Sequence, residues 1–153
     1  MTNPQINEAS GLVASQTHSD LFWTLNDSDG PNCIYALAKN GTLVLTLCLE
    51  YAENYDWEAI ATAPCNKEND LEKCIFIGDI GDNRHARDFI SIYKVKEPQL
   101  LKANQEIITD HNWTVIHFNY PNDQIFDAES MLIDSVSREA STNDVYTLFD
   151  IFL

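Results

Sequence analysis

Basic residues are scarce in this chain: 9 Lys and Arg stand against 24 Asp and Glu, a net charge of −15. No Lys/Arg cluster occurs, so the electrostatic footprint of a phosphate-backbone binder is missing and nucleic acid is set aside as a partner. Long apolar runs are missing too. The longest, such as Thr42–Leu49, are strand-sized and too short to cross a bilayer, so no membrane span is expected. The first residues, Met1-Thr2-Asn3-Pro4, include no basic residue and lead into no apolar core, so no signal peptide is present in the chain as given. The four histidines, His18, His85, His111 and His117, share no ligand spacing, and no CxxC exists, which argues against zinc. No GxSxG elbow or P-loop occurs, and Gly78-Asp79-Ile80-Gly81-Asp82-Asn83 lacks the spacing and distal Glu of an EF-hand loop. Helical periodicity is nearly absent; the only candidate is Pro98–Glu106.

What is present is a folded composition, 44% apolar, in short β-branched and aromatic bursts. Cysteines come as two local pairs. Cys65 and Cys74 bracket a polar loop that brings their strands together. Cys33 and Cys48 flank Lys39-Asn40-Gly41-Thr42, and a two-residue Asn40-Gly41 turn sets them opposite one another. Both pairs read as disulfides, and hence as an extracellular or otherwise oxidising compartment. The simple register makes 33/48 a hydrogen-bonded pair with Cα atoms about 5.5 Å apart, a geometry less easily bridged. A bulge, or two free buried thiols, is the alternative. Asn26-Asp27-Ser28, Asn40-Gly41-Thr42 and Asn112-Trp113-Thr114 are glycosylation sequons, compatible with secretion and common by chance.

Strand-like segments recur along the chain, separated by Asn-Gly, Asp-Gly, Ser/Asn and Pro punctuation. They are Ala9–Ser15, Leu21–Leu25, Cys33–Ala38, Leu43–Leu49, Ala59–Ala63, Cys74–Gly78, Ile90–Val95, Trp113–Phe118, Ser130–Asp134 and Val145–Phe149. Aligning them exposes a repeat. Glu8, Glu58 and Glu129 each head an apolar strand, and an aromatic-rich second strand then ends at Asp27, Asp79 and Asp150. The separations are 19, 21 and 21 residues. Third and fourth strands follow in the first two copies. The expected fold is therefore all-β: a partial β-propeller of about two and a half four-stranded antiparallel blades. Blade 1 covers about residues 7–50, blade 2 about 56–120 and a half blade about 126–153, in one incomplete domain. Such a piece cannot close a ring, so a longer parent chain and edge-to-edge self-association are expected. A small sandwich or barrel of about ten strands is the alternative.

In a hairpin, the Glu that starts one strand and the Asp that ends the other lie at the same end. Glu8/Asp27, Glu58/Asp79 and Glu129/Asp150 are thus expected as equivalent pairs around one channel mouth, with Asp29, Asp56, Asp82 and Asp127 beside them. Converging carboxylates repel until a raised pKa or a bound cation relieves them. Hard oxygen donors suit Ca²⁺, and Glu8, Asp27, Asp56, Glu58, Asp79, Asp82, Asp127 and Glu129 are the candidate ligands, with Asn26 or Asn83 as supplements. The rivals are turn capping and internal ion pairs to Arg84 or Arg87. Trp23, Trp57 and Trp113 are read as filling the gaps between blades, with stacking on a ring ligand as the other use.

The runs Trp23-Thr24-Leu25-Asn26-Asp27-Ser28, Asp56-Trp57-Glu58, Gly78-Asp79-Ile80-Gly81-Asp82-Asn83 and Phe126-Asp127-Ala128-Glu129 occur in an order that resembles a family. It is a group of mostly uncharacterised, mostly exported propeller-like proteins. The resemblance covers nearly the whole chain and implies that it corresponds to the N-terminal portion of longer relatives. Asp29 stands before Gly30 where the family commonly has Gly directly after its Asn-Asp-Ser motif.

The functional expectation is a calcium-stabilised scaffold presenting a surface to an unknown small molecule or protein. One alternative is a metal-dependent hydrolase, lactonase- or phytase-like, with the ion lowering the pKa of an attacking water. The other is a partial gene product with no function of its own. Fold alone does not choose among them.

Overall fold

The computed structural model describes residues 4–28, 30–66, 70–99, 105–109 and 112–133. Nine strands form in order: β1 (Ala9–Ala14), β2 (Leu21–Asn26), β3 (Cys33–Ala38), β4 (Leu43–Leu49), β5 (Trp57–Pro64), β6 (Lys73–Asp79), β7 (Ile90–Lys96), β8 (Gln105–Thr109) and β9 (Trp113–Phe118). They build two sheets, β1-β2-β3-β4-β8 and β5-β6-β7-β9. Strands β1–β4 and β5–β6–β7–β9 are each a four-stranded antiparallel meander, as expected of the repeat unit. The two sheets do not close on themselves.

Residues alternate along β4: Leu45, Leu47 and Leu49 are buried while Val44, Thr46 and Cys48 are half-buried between them. Strands β2, β3, β6 and β7 read as near-continuous buried runs, because both of their faces are covered. The principal core joins the two sheets. Trp23, Leu25, Ile34, Leu45, Leu47 and Leu49 of the first meet Trp57, Ile60, Ile75, Ile77, Tyr93 and Val95 of the second. Trp23 and Trp57 are fully buried there, and Trp113 packs on the same cluster with its ring 5.4 Å from that of Tyr93. The tryptophans thus fill the space between sheets. Side-chain hydrogen bonds mark the seam along β1 and β5: Ser10 Oγ donates to Glu58 O at 3.0 Å, and Thr62 Oγ1 to Ala14 O at 3.1 Å.

The β3–β4 hairpin departs from the two-residue turn. Ala38 N donates to Thr42 O at 2.9 Å, which makes Lys39-Asn40-Gly41 a three-residue loop, with Gly41 at a φ of 80° that suits glycine. A bulge then follows, Ala36 facing Leu45 but Leu37 facing Leu43. The bulge switches the parity of the ladder. Leu49 N donates to Asn32 O, so Cys33 and Cys48 occupy a non-hydrogen-bonded position with Cα atoms 4.0 Å apart. That resolves the difficulty of the simple register, and the pair is at disulfide distance. Cys65 and Cys74 are likewise paired at a Cα separation of 4.8 Å, where Cys65 N donates to Glu72 O across the hairpin mouth.

Two expectations about local structure need correction. Gln105 and Glu106, assigned by pattern to a short helix from Pro98, lie in β8. This strand leaves the β7–β9 connection and pairs in parallel with β4, from Leu45↔Gln105 to Leu49↔Thr109. An open β4 edge would expose a row of unpaired N–H and C=O groups, and β8 covers it. The Ile107-Ile108-Thr109 run favours the strand, and Ile107 packs on the core. Second, residues 130–133 of the expected third unit form no strand. Met131 and Ile133 instead pack on Ala63, Phe76 and Ile92 of the second sheet. Asp29, Asp134, the Val145–Phe149 segment and Asp150 lie outside the described residues.

Candidate functional site

Each sheet opens with a bulge at the same place. In β1, Ala9 faces Asn26 and Gly11 faces Leu25, leaving Ser10 unpaired; in β5, Trp57 faces Asp79 and Ala59 faces Gly78, leaving Glu58 unpaired. A bulge bends its strand and re-aims the extra side chain. Here the two extra residues meet across the seam, Ser10 Oγ donating to Glu58 Oε2 at 2.8 Å.

The bulges also fix which residues of the two units correspond. Asp27 N donates to Glu8 O at 2.9 Å, and Ile80 N to Asp56 O at 3.1 Å. Glu8 N reaches Asn26 Oδ1 at 3.4 Å, and Asp56 N reaches Asp79 Oδ1 at 3.0 Å. Glu8 therefore matches Asp56, Ser10 matches Glu58, Asn26 matches Asp79 and Asp27 matches Ile80. The pairing of Glu8/Asp27 with Glu58/Asp79 as equivalents is thus offset by two residues at the Glu and by one at the Asp. The Glu at the head of each apolar run is a strong but ambiguous marker, and the tertiary hydrogen bonds choose the other alignment.

Of the eight candidate ligands, three converge. Asp27, Asp56 and Glu58 each bring a carboxylate oxygen to within 4.8 Å of the other two. Asp27 follows β2 of the first sheet, while Asp56 and Glu58 stand at the head of the second, so the group straddles the seam. Glu58 and Asp56 are 3% and 7% exposed, and Asp27 is half-buried. Burial, foremost, pushes the Glu58 carboxyl up to about 7; the charges of Asp27 and Glu129 push the same way and the Ser10 hydroxyl opposes them. Asp56 Oδ2 accepts from Asn83 Nδ2 at 3.2 Å, whereas Asp56 Oδ1 is fully buried with no partner among the described residues.

Asp79, Asp82 and Asp127 form an adjoining network. Asp79 is wholly buried and accepts from Arg87 Nη1 at 2.7 Å through Oδ1, while its Oδ2 has no partner among the described residues. Burial raises the Asp79 carboxyl and the Arg87 guanidinium pulls it back. Asp82 accepts from Ala86 N and Arg87 N at 2.9 and 3.0 Å, and Asp127 Oδ1 accepts from Asp82 N at 2.6 Å. This is the rival solution to carboxylate repulsion, turn capping and an ion pair, realised beside the trio. Glu8 and Glu129 are exposed. Gly81 is required where it stands: a Cβ there would fall 2.6 Å from the Asp56 carboxylate.

A cleft of about 330 Å³ adjoins the trio, lined by Ser28, Tyr55, Asp56, Asp82, Asn83 and Arg84 among others. Its polar groups are largely engaged within the fold, Asn83 with Asp56 and Asp82 with its own turn. No histidine among the described residues joins the trio: His18 Nε2 lies 2.7 Å from Pro98 O, and His117 Nδ1 lies 3.0 Å from Ser91 Oγ.

Sequence reasoning missed two residues. Ser10 is Glu58's bulge counterpart, legible only from an acid-x-Ser/Glu alignment of Glu8–Ser10 with Asp56–Glu58 and Asp127–Glu129. Glu97 belongs to the Ile92-Tyr93-Lys94-Val95-Lys96-Glu97-Pro98 run that also resembles the family, but it lies outside the acidic repeat. It is fully buried at the far end of the seam, accepting from Trp23 Nε1 and Thr17 Oγ1, both at 2.7 Å, and from Thr17 N at 3.1 Å. No family model matches the chain, and no curated protein or solved structure matches it. No helix among the described residues is long and apolar enough to cross a membrane.

Proposed function

We propose that this chain is a propeller-type binding scaffold whose two sheets are clamped at one end by a calcium ion held on Asp27, Asp56 and Glu58. The observation that carries the reading is the convergence of three carboxylates from both sheets, together with a buried Asp56 oxygen that has no partner among the described residues. All donors are hard oxygens with no nitrogen or sulfur among them, which favours Ca²⁺ over zinc or copper. Calcium takes six to eight oxygens, so a trio of carboxylates leaves positions for water or for a ligand oxygen. The neighbouring network supports the assignment by contrast, because Arg87 already neutralises Asp79 and no cationic side chain among the described residues does the same for the trio. The scaffold would present its surface to a ligand or partner in an oxidising compartment, where both cysteine pairs are bridged.

Calorimetric titration of the purified, non-reduced chain with CaCl₂ at neutral pH tests the proposal. One saturable site is expected, abolished in both Asp27→Asn and Glu58→Gln and weaker for Mg²⁺, which demands a tighter octahedral shell. Absence of saturable heat in a folded sample would remove calcium from the account.

A further inference from the structure

Three sequons occur, and the fold sorts them. Asn26 is buried at 5% exposure, and its Nδ2 donates to Gln5 O at 2.8 Å and Asn7 Oδ1 at 3.2 Å, so a glycan on that nitrogen is incompatible with the fold. Asn112 is exposed, but its sequon runs into β9, where the Trp113 indole is pinned against Tyr93 and donates to Glu50 O at 3.0 Å. Asn40 differs from both. It sits at the tip of the β3–β4 loop with Lys39, Gly41 and Thr42 all exposed around it. Its Oδ1 accepts from Thr42 N at 3.0 Å, an Asx turn that occupies the amide oxygen, while Nδ2 of this exposed residue has no hydrogen-bond partner among the described residues. A Cβ built on the adjacent Gly41 meets nothing within 4 Å, so the tip is open space.

We infer that Asn40 is an N-glycosylation site and that Asn26, despite its sequon, stays unmodified. The inference rests on the oxidising-compartment reading, since a glycan acceptor loop implies the secretory route. The co-reactant is a lipid-pyrophosphate-linked oligosaccharide. A bond forms between Asn40 Nδ2 and the anomeric carbon, the bond from that carbon to the pyrophosphate oxygen breaks, the lipid pyrophosphate departs with the electron pair, and Nδ2 loses one proton. No oxidant is needed. The glycan would project from the hairpin tip, where the four residues Lys39–Thr42 are exposed, and away from the seam.

The test is expression of the full chain behind a secretion leader in cultured animal cells, with an endoglycosidase mobility assay and thiol alkylation on the same sample. A glycan-sized shift is expected, lost in Asn40→Gln and equally in Thr42→Ala, which keeps the amide but breaks the sequon. The shift should persist in Ser28→Ala, which breaks only the Asn26 sequon. Oxidised cysteines with no shift, or a shift that survives both loop variants, would overturn the assignment and leave the compartment reading intact. Free thiols in a secreted, unshifted chain would overturn both.

Discussion

The two ends of the seam between the sheets bury the same chemistry and satisfy it differently. At one end Glu97 is wholly enclosed, and Trp23, Thr17 and Gln16 supply it with donors from the first sheet. At the other, Asp56 and Glu58 are nearly as enclosed, yet among the described residues Asp56 Oδ1 has no partner and the Glu58 carboxylate draws its donor from the Ser10 hydroxyl, with the like-charged Asp27 beside it. A buried charge surrounded by donors staples two elements together, whereas one left short of donors costs about 1–3 kcal/mol per unmet group. The contrast teaches that burial of an acid does not by itself mark a ligand site. The count of donors around it does. Glu97 has its full complement, while Asp56 Oδ1 at the trio lacks a donor among the described residues.

Breaking the satisfied end should have the largest effect. Glu97→Ala strands the Trp23 indole N–H and the Thr17 donors inside the seam, and unfolding free energy should fall by about 3–4 kcal/mol in denaturant titration. A loss under about 1 kcal/mol would mean that Glu97 is a bystander. Gly81→Ala acts at the opposite end through shape alone. Its new methyl would press on the Asp56 carboxylate from 2.6 Å, with a cost of about 2 kcal/mol and loss of any calcium response. An unchanged calcium response in that variant would separate Asp56 from the site.

The pH dependence sharpens the comparison. Glu58 holds its proton up to about 7 when folded, against an ordinary value of 4.5, so without metal the folded state binds more protons between these values. The stability this lends is fully present below pH 4.5 and is lost as pH rises through about 7, on the order of 2 kcal/mol in chelator. Glu58→Gln should flatten that slope, and a slope as steep as wild type's would place the titrating group elsewhere. Ser10→Ala should be the mildest change, costing about 1 kcal/mol as Glu58 loses its hydroxyl donor.

Local features were the legible part of this molecule. The hairpins, both cysteine partnerships and the acid-rich ends of strands follow from turn residues and period-two patterning within about twenty residues of chain. The register of the repeat was not legible, because Glu8 and Glu58 look alike in sequence while the bulges at Ser10 and Glu58 form only when each strand meets its partner. β8 was hidden for the same reason: its partner β4 lies some sixty residues upstream, and no local pattern announces a parallel pairing at that distance. The trio combines the two cases. Asp27, Asp56 and Glu58 stood among the eight candidates, but their convergence depends on how the two sheets pack, and Asp79, Asp82 and Asp127 were drawn off by Arg87 and the turn beside it.

The central claim is that the under-satisfied end of the seam is completed by calcium. The most direct test is thermal unfolding of the non-reduced chain at pH 7.5, in millimolar calcium and then in chelator, for wild type and Asp56→Asn. The account predicts a cooperative melt that calcium raises by several degrees in wild type and leaves unmoved in the variant. A cooperative wild-type melt at the same temperature in both buffers would contradict it, and the proton held on Glu58 would then stand in place of a metal ion.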